Sequence, residues 1–96
     1  MTRHTVEITD CMASPDSLRV VTSDEVRWCS KDNRSYKLTG LGDVFAGSPG
    51  QIDVPVKDCT SFHTVTGQPG EHYPYNVHGD PACHRHIGTP EIIIEN

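Results

Sequence analysis

The stretch Gly70-Glu71-His72-Tyr73-Pro74-Tyr75-Asn76-Val77, preceded by Phe62 to Thr66, decides how the chain is read. Tyr73, Tyr75 and Val77 fall on one side of an extended backbone and His72, Pro74 and Asn76 on the other, which is the period of two that a half-buried strand requires. Gly67-Gln68-Pro69-Gly70 separates the two extended segments and predicts a hairpin between them.

The same alternation recurs towards the N-terminus. Val6 and Ile8 alternate with Thr5, Glu7 and Thr9, and a turn over Ala13 to Asp16 leads to a second strand with Leu18 and Val20. Val26 and Trp28 alternate with Arg27 and Cys29, with Trp28 the expected core anchor. Tyr36 and Leu38 follow, and Gly40, Gly42, Gly47 and Gly50 read as loop and turn residues. Ile52, Val54 and Val56 form another alternating run, held to an edge by Pro55, which has no amide proton for a ladder. Ile92-Ile93-Ile94 closes the chain as a strand expected to be buried on both faces. No helical period of useful length and no internal repeat is present. The reading is all-β: a Greek-key β-sandwich of about seven to eight short strands. Its core is expected to hold Ile8, Val20, Val26, Trp28, Leu38, Tyr75, Val77 and Ile93.

Size and charge narrow the function classes. At 96 residues the chain is expected to form one domain, 1–96, around one core. Eight basic residues are scattered among thirteen acidic ones, for a net charge of -5, and this argues against a nucleic-acid partner. The one basic stretch, Arg27, Lys31, Arg34 and Lys37, reads as a solvated strand edge and turn. No apolar run approaches the ~20 residues of a membrane span. A periplasmic or secreted location follows if a leader has been removed, and a cytoplasmic one if Met1 is native. The Gly40–Gly50 glycines do not make a phosphate loop, because no helix and no Lys-Ser/Thr pair follows them. A Cys–His hydrolase would need a signature and a cleft that the chain does not offer, so no enzyme is expected.

With these strands in place, the order Val6-x-Ile8, Pro15-x-x-Leu18-x-Val20, Asp24-Glu25-Val26-Arg27-Trp28 resembles the opening half of the cupredoxins. The segments Gly70 to Val77 and Pro90-Glu91-Ile92-Ile93-Ile94-Glu95 are similar to their last hairpin strand and closing strand. The resemblance spans nearly the whole chain and implies a cupredoxin-like sandwich, copper as cofactor and electron transfer as the usual activity. A type 1 copper centre takes two imidazoles, one thiolate and a weak axial ligand. Three positions depart from that pattern: Tyr36 stands where the first histidine belongs, Val77 stands where the cysteine belongs, and no methionine lies between His78 and Pro90.

The closing loop instead carries His78, Cys83, His84 and His86, with Cys83 and His86 at Cys-x-x-His spacing. The fold that the resemblance implies puts Cys29 near Cys83 at one pole, with Cys11 and Cys59 reaching the same end. Two readings result. In the first, Cys83, His86, His84, His78 and Cys29 supply a non-standard metal site, with copper the leading ion and zinc the other. In the second, the module is metal-free, its loops are tied by disulfides, and it binds a protein partner at that pole. Four cysteines allow three full pairings, which sequence alone leaves open, as it does the oligomeric state.

Overall fold

Apolar residues on alternate positions generate the strands seen in the computed structural model, which describes residues 2–83 and 89–95. Val6 and Ile8 of β1 (Arg3–Thr9), Leu18 and Val20 of β3 (Ser17–Val21), and Val26 and Trp28 of β4 (Glu25–Ser30) are buried. So are Tyr36 and Leu38 of β5 (Ser35–Thr39), Ile52 and Val54 of β6 (Gln51–Val54), and Ile92 and Ile94 of β10 (Glu91–Glu95). Four more strands complete the set: β2 (Met12–Ser14), β7 (His63–Thr64), β8 (His72–Pro74) and β9 (Asn76–Asp80).

Hydrogen bonding orders these strands as β2-β1-β4-β7, β3-β10-β8 and β6-β5-β9. Only Tyr75 separates β8 from β9, so the last two groups run on from one another as a second layer facing the first. The buried faces of both layers meet around Trp28, which packs edge-on against Phe45 at 5.5 Å and Tyr75 at 5.8 Å between ring centroids. The Trp28 indole N–H donates to the Tyr75 hydroxyl at 3.3 Å, giving both polar tips a partner inside the core. The protein is all-β, as the alternation predicts.

Several local expectations are corrected. The segments before and after Gly67–Gly70 do not form a hairpin: β7 pairs with β4 through Val26 and His63, whereas β8 pairs with β10 through Ile92 and Tyr73. Gly67 to Gly70 therefore carries the chain from one layer to the other, with Gly70 at φ +89° and its amide donating to the Ile94 carbonyl at 2.7 Å. An additional tight turn at Asp10 and Cys11, both at positive φ, folds β2 back on β1, and the expected turn follows at Pro15 and Asp16 between β2 and β3. Val77 and Ile93 are half-buried rather than enclosed, since Ile93 occupies the face of β10 opposite Ile92 and Ile94. The Gly40–Gly50 region contributes to the core: Leu41, Val44 and Phe45 are fully buried, and Phe45 bridges Val65.

Candidate functional site

Strand direction places the candidate site. β1 and β4 run parallel, with Ile8 beside Ser30, so the Asp10–Cys11 turn and the end of β4 emerge at the same pole of the sandwich. Ser35 at the start of β5 pairs with Asp80 at the end of β9, which brings the loop after β9 to that pole as well. Both disulfides lie there. Cys11 is bonded to Cys83 with Cα atoms 6.1 Å apart, and Cys29 to Cys59 with Cα atoms 3.9 Å apart.

The sequence-level expectation that Cys29 and Cys83 share a site is thus corrected: each is bonded to a different partner. Cys59 lies directly across from Cys29 because the chain at 58–60 pairs with the end of β4. Cys83 meets Cys11 because the Asp10–Cys11 turn projects past the last β1–β4 rung towards the loop after β9. With their sulfurs joined, all four cysteines lack the thiolate that a copper or zinc site of that kind requires.

The remaining predicted ligands are distributed by strand alternation. Tyr36 pairs with Gly79 and Leu38 with Val77 on the inner face, whereas Lys37 pairs with His78 on the opposite, exposed face. The Cys11–Cys83 bridge rests on Gly79: a Cβ there would lie 2.8 Å from Cys83 Sγ and 3.2 Å from Cys11 Sγ. His78 is therefore turned away from Cys83 and meets Thr39 Oγ1 at 3.1 Å through Nε2. His84 and His86 lie outside the described residues. Among the described residues, no three His, Cys, Asp or Glu side chains are grouped to hold a metal ion.

A hydrogen-bonded cluster centred on Asp32, which sequence reasoning missed, organises this pole. Asp32 Oδ2 accepts from the Tyr36 hydroxyl and from the Asp10 amide, each at 2.7 Å, and Oδ1 accepts from the Arg34 amide at 3.0 Å. The Tyr36 oxygen in turn accepts from the buried Cys11 amide at 3.1 Å. Arg34 extends the cluster to the closing loop, donating from Nε to the Pro81 carbonyl at 3.2 Å. Burial pushes the Asp32 carboxyl upward, but its hydrogen bonds from Asp10, Tyr36, Arg34 and Ser30 outweigh this and hold it below the ordinary carboxylate value. Burial, with the neighbouring Asp32 carboxylate, pushes the Tyr36 phenol up, although the Cys11 amide opposes the shift. The signal for this cluster in the sequence is faint, since an Asp four residues before a Tyr is ordinary in a turn.

A groove of about 570 Å³ opens beside the pole on the exposed side of β5, β6 and β9. Val54, Pro55 and Gly79 contribute to its lining, together with Lys37, Asp53 and His78.

The two-layer arrangement of strands defines the class: the chain has a cupredoxin-like fold. The similar solved structures include several of amicyanin. A proline-to-glycine variant in its reduced Cu(I) form at pH 4 superposes with a TM-score of 0.62 at 17% identity, over 95% of this chain and 80% of that one. A reduced proline-to-phenylalanine variant gives 0.64 at 18% identity and an oxidised methionine-to-lysine variant gives 0.63 at 16%, each with the same coverage. No family model matches the sequence, and no curated protein matches it. Identity at this level establishes the fold alone.

Proposed function

We propose that this protein is a cupredoxin-like binding module without a type 1 copper centre, braced at its loop pole by two disulfides and acting there on a protein partner rather than as a catalyst. The observation that carries the reading is the donor set. Tyr36, where the sequence resemblance puts the first histidine ligand, is committed to Cys11 and Asp32, and Val77, where it puts the cysteine ligand, offers no donor atom. Cys83 and Cys29, the cysteines expected to supply a thiolate, are both bonded to other cysteines. Among the described residues, the side chains present do not fit the copper site that the fold family implies.

Positive features support binding at this end. The groove beside β5, β6 and β9 offers apolar surface rimmed by both signs of charge, and the Asp32 cluster with the Cys11–Cys83 bridge fixes the loops around it before any partner arrives. Pre-ordered loops lower the entropic cost of association.

Titration of the oxidised protein with Cu(II), followed by visible absorption and elemental analysis, tests the reading. The expected result is no intense thiolate-to-copper band and no metal retained at stoichiometric level after dialysis. An intense band with one bound copper per chain would overturn it and return the electron-transfer role to first place.

A further inference from the structure

The two disulfides of the pole differ in what surrounds them. Cys11 is 2% exposed and belongs to the hydrophobic core, against which Cys83 also packs. Cys29, at 4% exposed, is nearly as buried as Cys11, but it alternates with Trp28 on β4 and stands outside the hydrophobic cluster. Its partner Cys59 is half-buried, as is Cys83. The Cys29–Cys59 pair lines a surface depression of about 240 Å³ together with Ser30, Lys31 and Lys57.

The charges around this depression are of both signs but are not equally committed. Lys31 Nζ pairs with Glu7 at 3.1 Å, and the Asp58 carboxylate is turned back to accept the Cys59 amide at 2.8 Å. Among the described residues Lys57 makes no ion pair, and it is the cation left to face an incoming anion. We propose that Cys29–Cys59 is a thiol-exchange site, opened by a small-molecule thiolate that enters this depression, while Cys11–Cys83 stays closed.

The chemistry balances with a thiol as the reductant. A thiolate attacks Cys59 Sγ, the better exposed sulfur, forming a mixed disulfide as the Cys29–Cys59 bond breaks and its electron pair passes to Cys29 Sγ, which then takes up a proton. A second thiolate attacks the outer sulfur of the mixed disulfide, releasing the Cys59 thiolate. Two small thiols are oxidised to one disulfide and the protein disulfide is reduced to two thiols, with two electrons transferred.

Backbone pairing makes the change reversible. The Ser30 amide donates to the Asp58 carbonyl at 2.9 Å and the Thr60 amide to the Trp28 carbonyl at 2.8 Å, one on each side of the bridge. These bonds keep the two sulfurs opposite each other after cleavage, so reoxidation restores the same pair.

Incubating the folded protein with reduced glutathione, quenching with an alkylating agent and mapping the labelled peptides tests this proposal. Cys29 and Cys59 should be labelled or glutathionylated faster than Cys11 and Cys83 by on the order of 10-fold or more, with Trp28 fluorescence unchanged. Lys57→Gln should slow the reaction with glutathione severalfold and affect cysteamine less, because the cysteamine thiolate carries its own ammonium group. Opening of Cys11–Cys83 first would overturn the proposal, as would opening of both bonds together at the rate of global unfolding. Equal effects of Lys57→Gln on the two thiols would remove Lys57 from it.

Discussion

The hydroxyl of Tyr36 donates to the carboxylate of Asp32 at 2.7 Å while its oxygen accepts from the Cys11 amide, so one side chain links the β4–β5 connection to the turn that carries a disulfide. Tyr36 is thereby a structural cross-brace of the pole.

Removing that hydroxyl should be costly although the ring remains. Tyr36→Phe leaves the buried Cys11 amide without its acceptor and takes one donor from Asp32, and either loss is worth about 1–3 kcal/mol. Urea denaturation of the oxidised variant should show a lower midpoint with an unchanged slope. A midpoint equal to the parent's would mean that the link does not brace the pole.

Acid should act on the same cluster. The folded-state pKa of Asp32 lies below its unfolded value of about 3.8, so its contribution is fully present above that value and is lost as pH falls through the lowered one. Asp24 behaves alike: burial raises its pKa, but hydrogen bonds from His4 and from the Val21 and Thr2 amides bring the net value down. Stability measured by denaturant titration should therefore decline below about pH 4. In Asp32→Asn the decline should be shallower, because one of the two carboxylates responsible is gone. An equally steep decline in the variant would assign the acid sensitivity elsewhere.

The seating of the core disulfide can be tested without touching a cysteine. In Gly79→Ala the new Cβ would come within 2.8 Å of Cys83 Sγ and 3.1 Å of the Pro81 carbonyl oxygen, neither of which is the free end of a flexible side chain. Displacing the bridge should cost about 1–3 kcal/mol, the usual penalty for overpacking. Gly50→Ala is the control, since nothing lies within 4 Å of a Cβ there. Equal melting temperatures for the two variants would show that the bridge does not press on Gly79.

How much of this was legible in the sequence depended on whether a signal was local. Alternation at Val6 and Ile8, at Val26 and Trp28, and at Tyr36 and Leu38 located strands whose burial the structure reproduces, because period two is written in consecutive residues. Pairing is not written that way. The Gly67–Gly70 turn looked like a hairpin because nothing local reports that β7 and β8 join different layers. Val44 and Phe45 were hidden among glycines, where loop chemistry masks two buried side chains. At the site, the presence of four cysteines was readable, whereas the partner of each was not. Pairing of Cys29 with Cys59 depends on the 58–60 chain lying against the end of β4, a contact between segments thirty residues apart.

The pairing of the cysteines bears most directly on the account, and a non-reducing peptide map of the oxidised protein measures it. The predicted result is two cross-linked species, Cys11 with Cys83 and Cys29 with Cys59, and no free thiol under denaturing conditions. A Cys29–Cys83 linkage, or a free Cys83 thiol in protein that also holds copper, would contradict it.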